Sequence, residues 1–129
     1  MRYITPLKAA KGLGASRTGT KDHWFLTVTA CALALLTPVF MLVVGRAIGL
    51  PRAGVVAYFG QPFPAIVTGL FVIVGMLHFV RGTRIMLDDY LRGTALKVGI
   101  VVSVIFSYAV IAAAAYALAR MGLAQFVLV

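Results

Sequence analysis

Three long apolar stretches dominate the pattern of hydrophobic and polar positions along this chain of 129 residues. They run from about residue 24 to 45, from about 63 to 87 and from about 98 to 119, and charged residues fall mainly between them. About 20 apolar residues in helical conformation cross the hydrocarbon core of a bilayer. The pattern therefore predicts an all-α membrane protein with three transmembrane helices.

The segments outside these spans differ in character. Residues 1–22 are rich in basic, glycine and hydroxyl residues, a composition that cannot build a core, so we expect an extended N-terminal arm. Residues 23–120 are expected to form the three-helix anchor domain, and residues 121–129 a C-terminal tail. The loop 46–62 is semi-apolar and longer than a connection requires, which predicts a short helix in the membrane interface.

Composition and charge placement agree with this prediction. Hydrophobic residues make up 62% of the chain and charged residues 12%, against roughly 25% charged residues in soluble domains. The net charge is +9, but nine of the 12 basic residues lie in the N-terminal arm or flank the second connection, and only Arg46, Arg52 and Arg120 lie on the opposite side. This positive-inside bias predicts a multi-pass membrane protein with a cytoplasmic N-terminus and with its C-terminus on the other side of the membrane. No aromatic-interleaved basic face supports nucleic-acid binding.

The third span carries a ridge of small residues. Gly99, Ser103 and Ser107 recur at four-residue spacing and so lie on one helix face. Such a ridge predicts close packing against another helix without identifying that helix.

The second span and the residues just after it carry polar groups on one face, and His78 among them lies at a depth where water is absent. His78, Gly82, Ile85 and Asp89 recur at three- or four-residue spacing and line one stripe, with Tyr90 beside it. A histidine at membrane depth requires a hydrogen-bond partner, a metal or a cofactor. The stripe therefore predicts a site, and Gly82 leaves room for a flat ligand such as a porphyrin.

Spacing along this helix separates a deep position from a shallow one. Asp89 and Tyr90 follow His78 by about 16–18 Å along the axis, at 1.5 Å per residue. A haem in the bilayer with a quinone head group near its edge requires that arrangement, and Arg81 is placed to pair with haem propionates. One histidine supplies one axial ligand, so we expect the second from another chain. The alternative for His78 is a hydrogen bond to a neighbouring helix.

Two other functional classes make different demands on the sequence. A small oligomeric transporter needs an ionisable group near the membrane centre, commonly a carboxylate, whereas Asp22, Asp88 and Asp89 all lie at span edges. A haem-free structural anchor for a soluble enzyme stays open as an alternative, because the sequence separates it poorly from a haem-binding form.

At the second span the sequence resembles a known family. The motif His78-x3-Gly82-x6-Asp89-Tyr90 resembles that of the hydrophobic membrane-anchor (D) subunits of succinate dehydrogenase, respiratory complex II. The entry into the first span, around Trp24, is similar as well, and the resemblance covers nearly the whole chain.

The resemblance implies a role for each residue of the stripe. His78 would be one axial ligand of the iron of a b-type haem, with Gly82 packing on the haem and Arg81 contacting a propionate. Tyr90 would hydrogen-bond ubiquinone, and Asp89 would support that quinone site.

The resemblance also implies a location in a bacterial inner (cytoplasmic) membrane, with a periplasmic C-terminus, and a set of partners. The haem would be shared with a sister anchor, the cytochrome b556-type C subunit. FAD and the iron–sulfur clusters would belong to a flavoprotein subunit and an iron–sulfur subunit. The chain would thus serve an enzyme of the tricarboxylic acid cycle and of electron transport whose succinate-oxidising centre lies on another chain.

Overall fold

The computed structural model describes residues 5–7 and 19–127, and residues 19–127 form four α-helices joined by short connections. In chain order these are α1 (Gly19–Ala47), α2 (Arg52–Phe59), α3 (Pro62–Tyr90) and α4 (Gly93–Val127). Helices α1, α3 and α4 are long and apolar enough to cross a membrane. The prediction of an all-α membrane protein with three such helices is therefore confirmed.

Each long helix extends beyond its predicted span at both ends. Hydropathy marks only the part of a helix that lies in hydrocarbon, whereas backbone hydrogen bonding continues into the interface. Most of the predicted arm, residues 1–22, lies outside the described residues, although α1 already begins at Gly19. The predicted tail from residue 121 continues as helix through Val127. The helix predicted within the loop 46–62 is α2.

Two tight connections use glycine in the left-handed backbone region. Gly49, with φ of 85°, follows α1, and Gly93, with φ of 62°, begins α4. Glycine adopts these angles without the steric cost that a Cβ atom would bring. Leu91 ends α3 in extended conformation, and its N–H donates to the Leu87 carbonyl at 2.8 Å. The chain therefore reverses direction directly after Tyr90.

Helix α3 is the central helix of a single layer. It packs against α1 on one side and α4 on the other, whereas α1 and α4 do not approach each other within the described part of the chain. The short α2 contacts all three where α1 ends and α3 begins. Among the described residues, the buried apolar side chains are only Val43, Pro64 and Val67. We therefore expect lipid or other subunits to cover both broad faces of the layer.

The predicted ridge of small residues lies in the contact between α4 and α3. A Cβ atom added at Gly99 would lie 3.1 Å from a methyl group of Leu87 in α3. Ser107 is 1% exposed, and its hydroxyl donates to the Ser103 carbonyl of its own helix at 2.8 Å. Because the buried hydroxyl is satisfied internally, the close approach leaves no unpaired polar group at this position.

Candidate functional site

His78 lies where α3 faces α1, and its side chain is half-buried. The ring atom Nδ1 is 2.8 Å from the hydroxyl oxygen of Thr29 in α1, a residue that is only 9% exposed. The same hydroxyl lies 2.8 Å from the Phe25 carbonyl and 3.1 Å from the Leu26 carbonyl. The alternative predicted for His78, a hydrogen bond to a neighbouring helix, is therefore present and occupies Nδ1.

This network favours a proton on Nδ1 of His78. Carbonyl oxygens only accept, so the contacts with Phe25 and Leu26 direct the Thr29 hydrogen toward them. The Thr29 oxygen then accepts from Nδ1–H, and Nε2 keeps its lone pair. No residue in the described part of the chain forms a hydrogen bond with Nε2. An imidazole held in this way through Nδ1 is the form of histidine that ligates metals through Nε2.

The two glycines that flank His78 differ in what lies beside them. A Cβ atom added at Gly82 would meet nothing within 4 Å among the described residues, so the space predicted there is present. At Gly75 an added Cβ atom would lie 3.9 Å from a methyl group of Leu33 in α1. Gly75 therefore allows α1 to pack closely, whereas Gly82 leaves the helix surface open one turn beyond His78.

Arg81 connects the two helices close to His78. Its guanidinium forms an ion pair with Asp22 in the first turn of α1 and lies 5.0 Å from the centre of the Phe25 ring. Both charged side chains are partly solvent-exposed, so the pair itself contributes only ~0–1 kcal/mol. Only one nitrogen of Arg81 is used by Asp22, and the guanidinium therefore keeps donors for a further acidic group.

Asp22 was not predicted as part of this site. Its place in the site follows from the antiparallel packing of α1 and α3. In this packing the ring of Phe40 stacks on that of Phe71, with 4.0 Å between ring centres. Once Thr29 is placed opposite His78, the next turn of α3 meets the preceding turns of α1. Asp22 then faces Arg81, for which the sequence predicted a contact with a haem propionate.

Asp89 and Tyr90 occupy the last turn of α3, and the structure does not bring them near His78. Tyr90 is 82% exposed, and neither side chain forms a hydrogen bond or ion pair within the described part of the chain. Twelve residues of helix separate Tyr90 from His78, which corresponds to ~18 Å. A ligand at Tyr90 is therefore enclosed only when other molecules supply the walls of its pocket.

The chain offers no complete metal site at His78. The described residues contain no group of three or more His, Cys, Asp or Glu side chains that could hold a metal ion. The other histidine of the chain, His23, is exposed and lies six residues before Thr29, or ~9 Å along α1. The described residues therefore do not form a metal site of three protein ligands around His78.

Comparisons with known proteins identify the family of this chain. The profile of the succinate dehydrogenase/fumarate reductase transmembrane subunit family matches residues 1–119. The chain is 64% identical over 127 residues to the succinate dehydrogenase hydrophobic membrane anchor subunit of Paracoccus denitrificans, and the match covers 98% of each chain. No solved structure is significantly similar to this one.

Proposed function

This chain belongs to the succinate dehydrogenase/fumarate reductase transmembrane subunit family, and from this premise we propose that it helps to hold a b-type haem and ubiquinone while anchoring the complex. As a membrane-anchor subunit of succinate dehydrogenase, it is part of an oxidoreductase complex and associates with its other subunits and with the membrane. In the proposal, succinate oxidation, FAD and the iron–sulfur clusters belong to a flavoprotein subunit and an iron–sulfur subunit.

The observation that supports haem binding is the bond between His78 and Thr29. It leaves the lone pair of Nε2 without a partner among the described residues, with open space beside Gly82 for a macrocycle. When bound, the haem supplies a one-electron redox centre inside the bilayer. His78 would hold the haem iron through Nε2, Thr29 would orient the imidazole ring, and the remaining N–H groups of Arg81 would face a propionate near the interface. The sister C subunit would supply the second protein ligand.

The quinone site is proposed at the end of α3. The exposed hydroxyl of Tyr90 donates a hydrogen bond to a ubiquinone carbonyl, whose negative charge grows as the ring is reduced. Asp89, exposed beside it, supports the site and passes protons from the aqueous side. Because Tyr90 has no enclosing neighbours within the described residues, the iron–sulfur and C subunits complete the pocket.

A haem-free structural anchor is the second candidate function. The same hydrogen bond favours it, because Thr29 satisfies one ring nitrogen of His78 without any ligand. A neutral imidazole nevertheless keeps one unshared nitrogen in the membrane, where an unsatisfied polar atom is costly. A reduced-minus-oxidised visible spectrum of the purified complex distinguishes the two candidates, since only the haem-binding form gives a b-type signal.

Thr29→Val tests the role of the hydroxyl while keeping the size of the side chain. We expect haem affinity to fall about 10- to 100-fold, because a lost hydrogen bond to a metal-ligating histidine has an effect of this size. We also expect the haem midpoint potential to rise, since an imidazole without its acceptor donates less electron density to iron. Haem-to-flavin ratios and redox titrations of the purified complex measure both effects.

Thr29→Ser is the matched control, because serine keeps the hydroxyl and removes only a methyl group. It should retain the haem and its potential close to wild-type values. If Thr29→Val and Thr29→Ser both match the wild-type complex, Thr29 does not orient a haem ligand.

The proposed orientation places the N-terminus and the turn between α3 and α4 in the cytoplasm. The ion pair between Asp22 and Arg81 puts these two segments at the same end of the helices, and most basic residues cluster there. Reporter fusions after Lys21 and at Gly93 should read cytoplasmic, and those at Gly54 and after the last residue periplasmic. A periplasmic signal at Gly93 would place the proposed quinone site on the wrong side of the membrane.

A further inference from the structure

Three arginines without acidic side-chain partners in this subunit lie at the end of the helices opposite Asp22. Arg46 lies in the last turn of α1, Arg52 begins α2, and Arg120 lies late in α4. The chain has only three acidic side chains, and all of them lie at the other end, in the first turn of α1 and in the last turn of α3. No carboxylate side chain of this subunit can therefore neutralise these arginines. Arginines on this side also run against the charge bias of the rest of the chain.

Arg46 lines a cavity of about 310 Å³. The cavity lies between the end of α1, the short α2 and the start of α3. Its polar lining consists of Arg46, Tyr58 and Gln61, which can donate hydrogen bonds. The rest of its wall is apolar and includes Val39 and Leu42, which precede Arg46 by one to two turns on α1.

This combination of a cationic rim and an apolar wall has the chemistry of an amphiphile site. The wall runs from Arg46 to Val39, seven residues or ~10 Å along the helix, and so reaches from the interface into the hydrocarbon region. A guanidinium binds a phosphate through paired N–H groups, and the neighbouring hydroxyl and amide add further donors. A free inorganic anion would gain nothing from the apolar wall.

We propose that this cavity binds an anionic phospholipid, with its phosphate on Arg46 and one acyl chain along Val39 and Leu42. The bound lipid neutralises Arg46, which has no acidic side chain of this subunit within reach. It also fills the gap between α1, α2 and α3, where a single layer of helices leaves the contact open. Basic pockets between transmembrane helices bind anionic head groups by the same electrostatics.

The test uses the complete complex in lipid nanodiscs that contain phosphatidylglycerol, phosphatidylcholine or both. After transfer to detergent, native mass spectrometry counts the lipids that stay bound. We expect wild-type complex to retain phosphatidylglycerol in preference to phosphatidylcholine. Arg46→Gln should weaken this retention by about 10- to 100-fold, as expected for the loss of a charge-assisted phosphate contact. Arg46→Lys should keep most of it, because lysine preserves the charge.

Arg84→Gln is the matched control, since it removes an exposed arginine from the opposite end of α3 and should leave retention unchanged. Equal retention by wild-type and Arg46→Gln complexes would overturn the proposal. Displacement of the lipid by millimolar inorganic phosphate would also overturn it, because the site would then be one for a free anion. A crosslink from Arg46 to an acidic residue of another subunit in lipid-free complex would identify a protein partner instead.

Discussion

Replacing Tyr90 with phenylalanine is expected to lower succinate-driven quinone reduction by about 30- to 1000-fold. The change keeps the ring and removes only the hydroxyl that we propose to donate to a quinone carbonyl. Loss of such a hydrogen bond costs ~2–4 kcal/mol in comparable sites, because the bond strengthens as the acceptor becomes anionic. Tyr90 is 82% exposed and has no hydrogen-bond partner within the described residues, so the helix should be unaffected. Quinone reductase activity in membranes measures the effect.

Three control measurements distinguish a quinone site at Tyr90 from a general loss of activity. Activity with an artificial acceptor that takes electrons before the membrane should change little. Asp89→Asn should show a milder loss, because its carboxylate supports the site without directly holding the quinone. Tyr116→Phe removes an exposed phenol at the other end of the helices and should be neutral. Full quinone reduction by Tyr90→Phe would assign this phenol to the interfacial aromatic belt.

His78→Ala is expected to abolish the b-type haem signal while leaving all three long helices in the membrane. Imidazole is a strong iron ligand, and no other described side chain on this face of α3 can replace it. The Thr29 hydroxyl keeps its acceptors at Phe25 and Leu26, so the variant buries no newly unpaired polar group. The haem-to-flavin ratio of the purified complex measures the loss.

His23→Ala is the matched control for His78→Ala. It removes the other histidine of the chain, which is exposed at the start of α1, and should leave the haem content unchanged. Unchanged haem content and a normal bis-histidine spectrum in His78→Ala would show that His78 is not a ligand.

The helices were predictable from the sequence because each one depends on the length and apolar character of its own span. Each span is long enough to cross hydrocarbon, where backbone groups must be hydrogen-bonded within the helix. The same reasoning placed His78, Gly82 and Asp89 on one stripe, since that depends only on helical periodicity. The helix ends were not predictable from hydropathy, because helical hydrogen bonding continues into the interface. Helix α4, for example, begins at Gly93, five residues before the third apolar stretch begins at about residue 98.

The contacts between helices were not predictable in the same way. Thr29 and His78 are 49 positions apart in the sequence, and Asp22 and Arg81 are 59 apart. Each pairing therefore depends on the axial offset between α1 and α3. That offset follows from side-chain packing over the whole interface, which periodicity does not report. The surroundings of Tyr90 were beyond prediction for another reason: the described part of the chain does not enclose that residue.

Ligation of a haem by His78 is tested most directly by the reduced-minus-oxidised visible spectrum of purified complex carrying His78→Gly, with and without added imidazole. Glycine leaves space where the ring was, and free imidazole supplies the same nitrogen donor. If His78 is the ligand, the b-type signal is lost in the variant and returns, at least in part, when imidazole is added. A variant that shows the wild-type haem signal without imidazole would contradict the assignment.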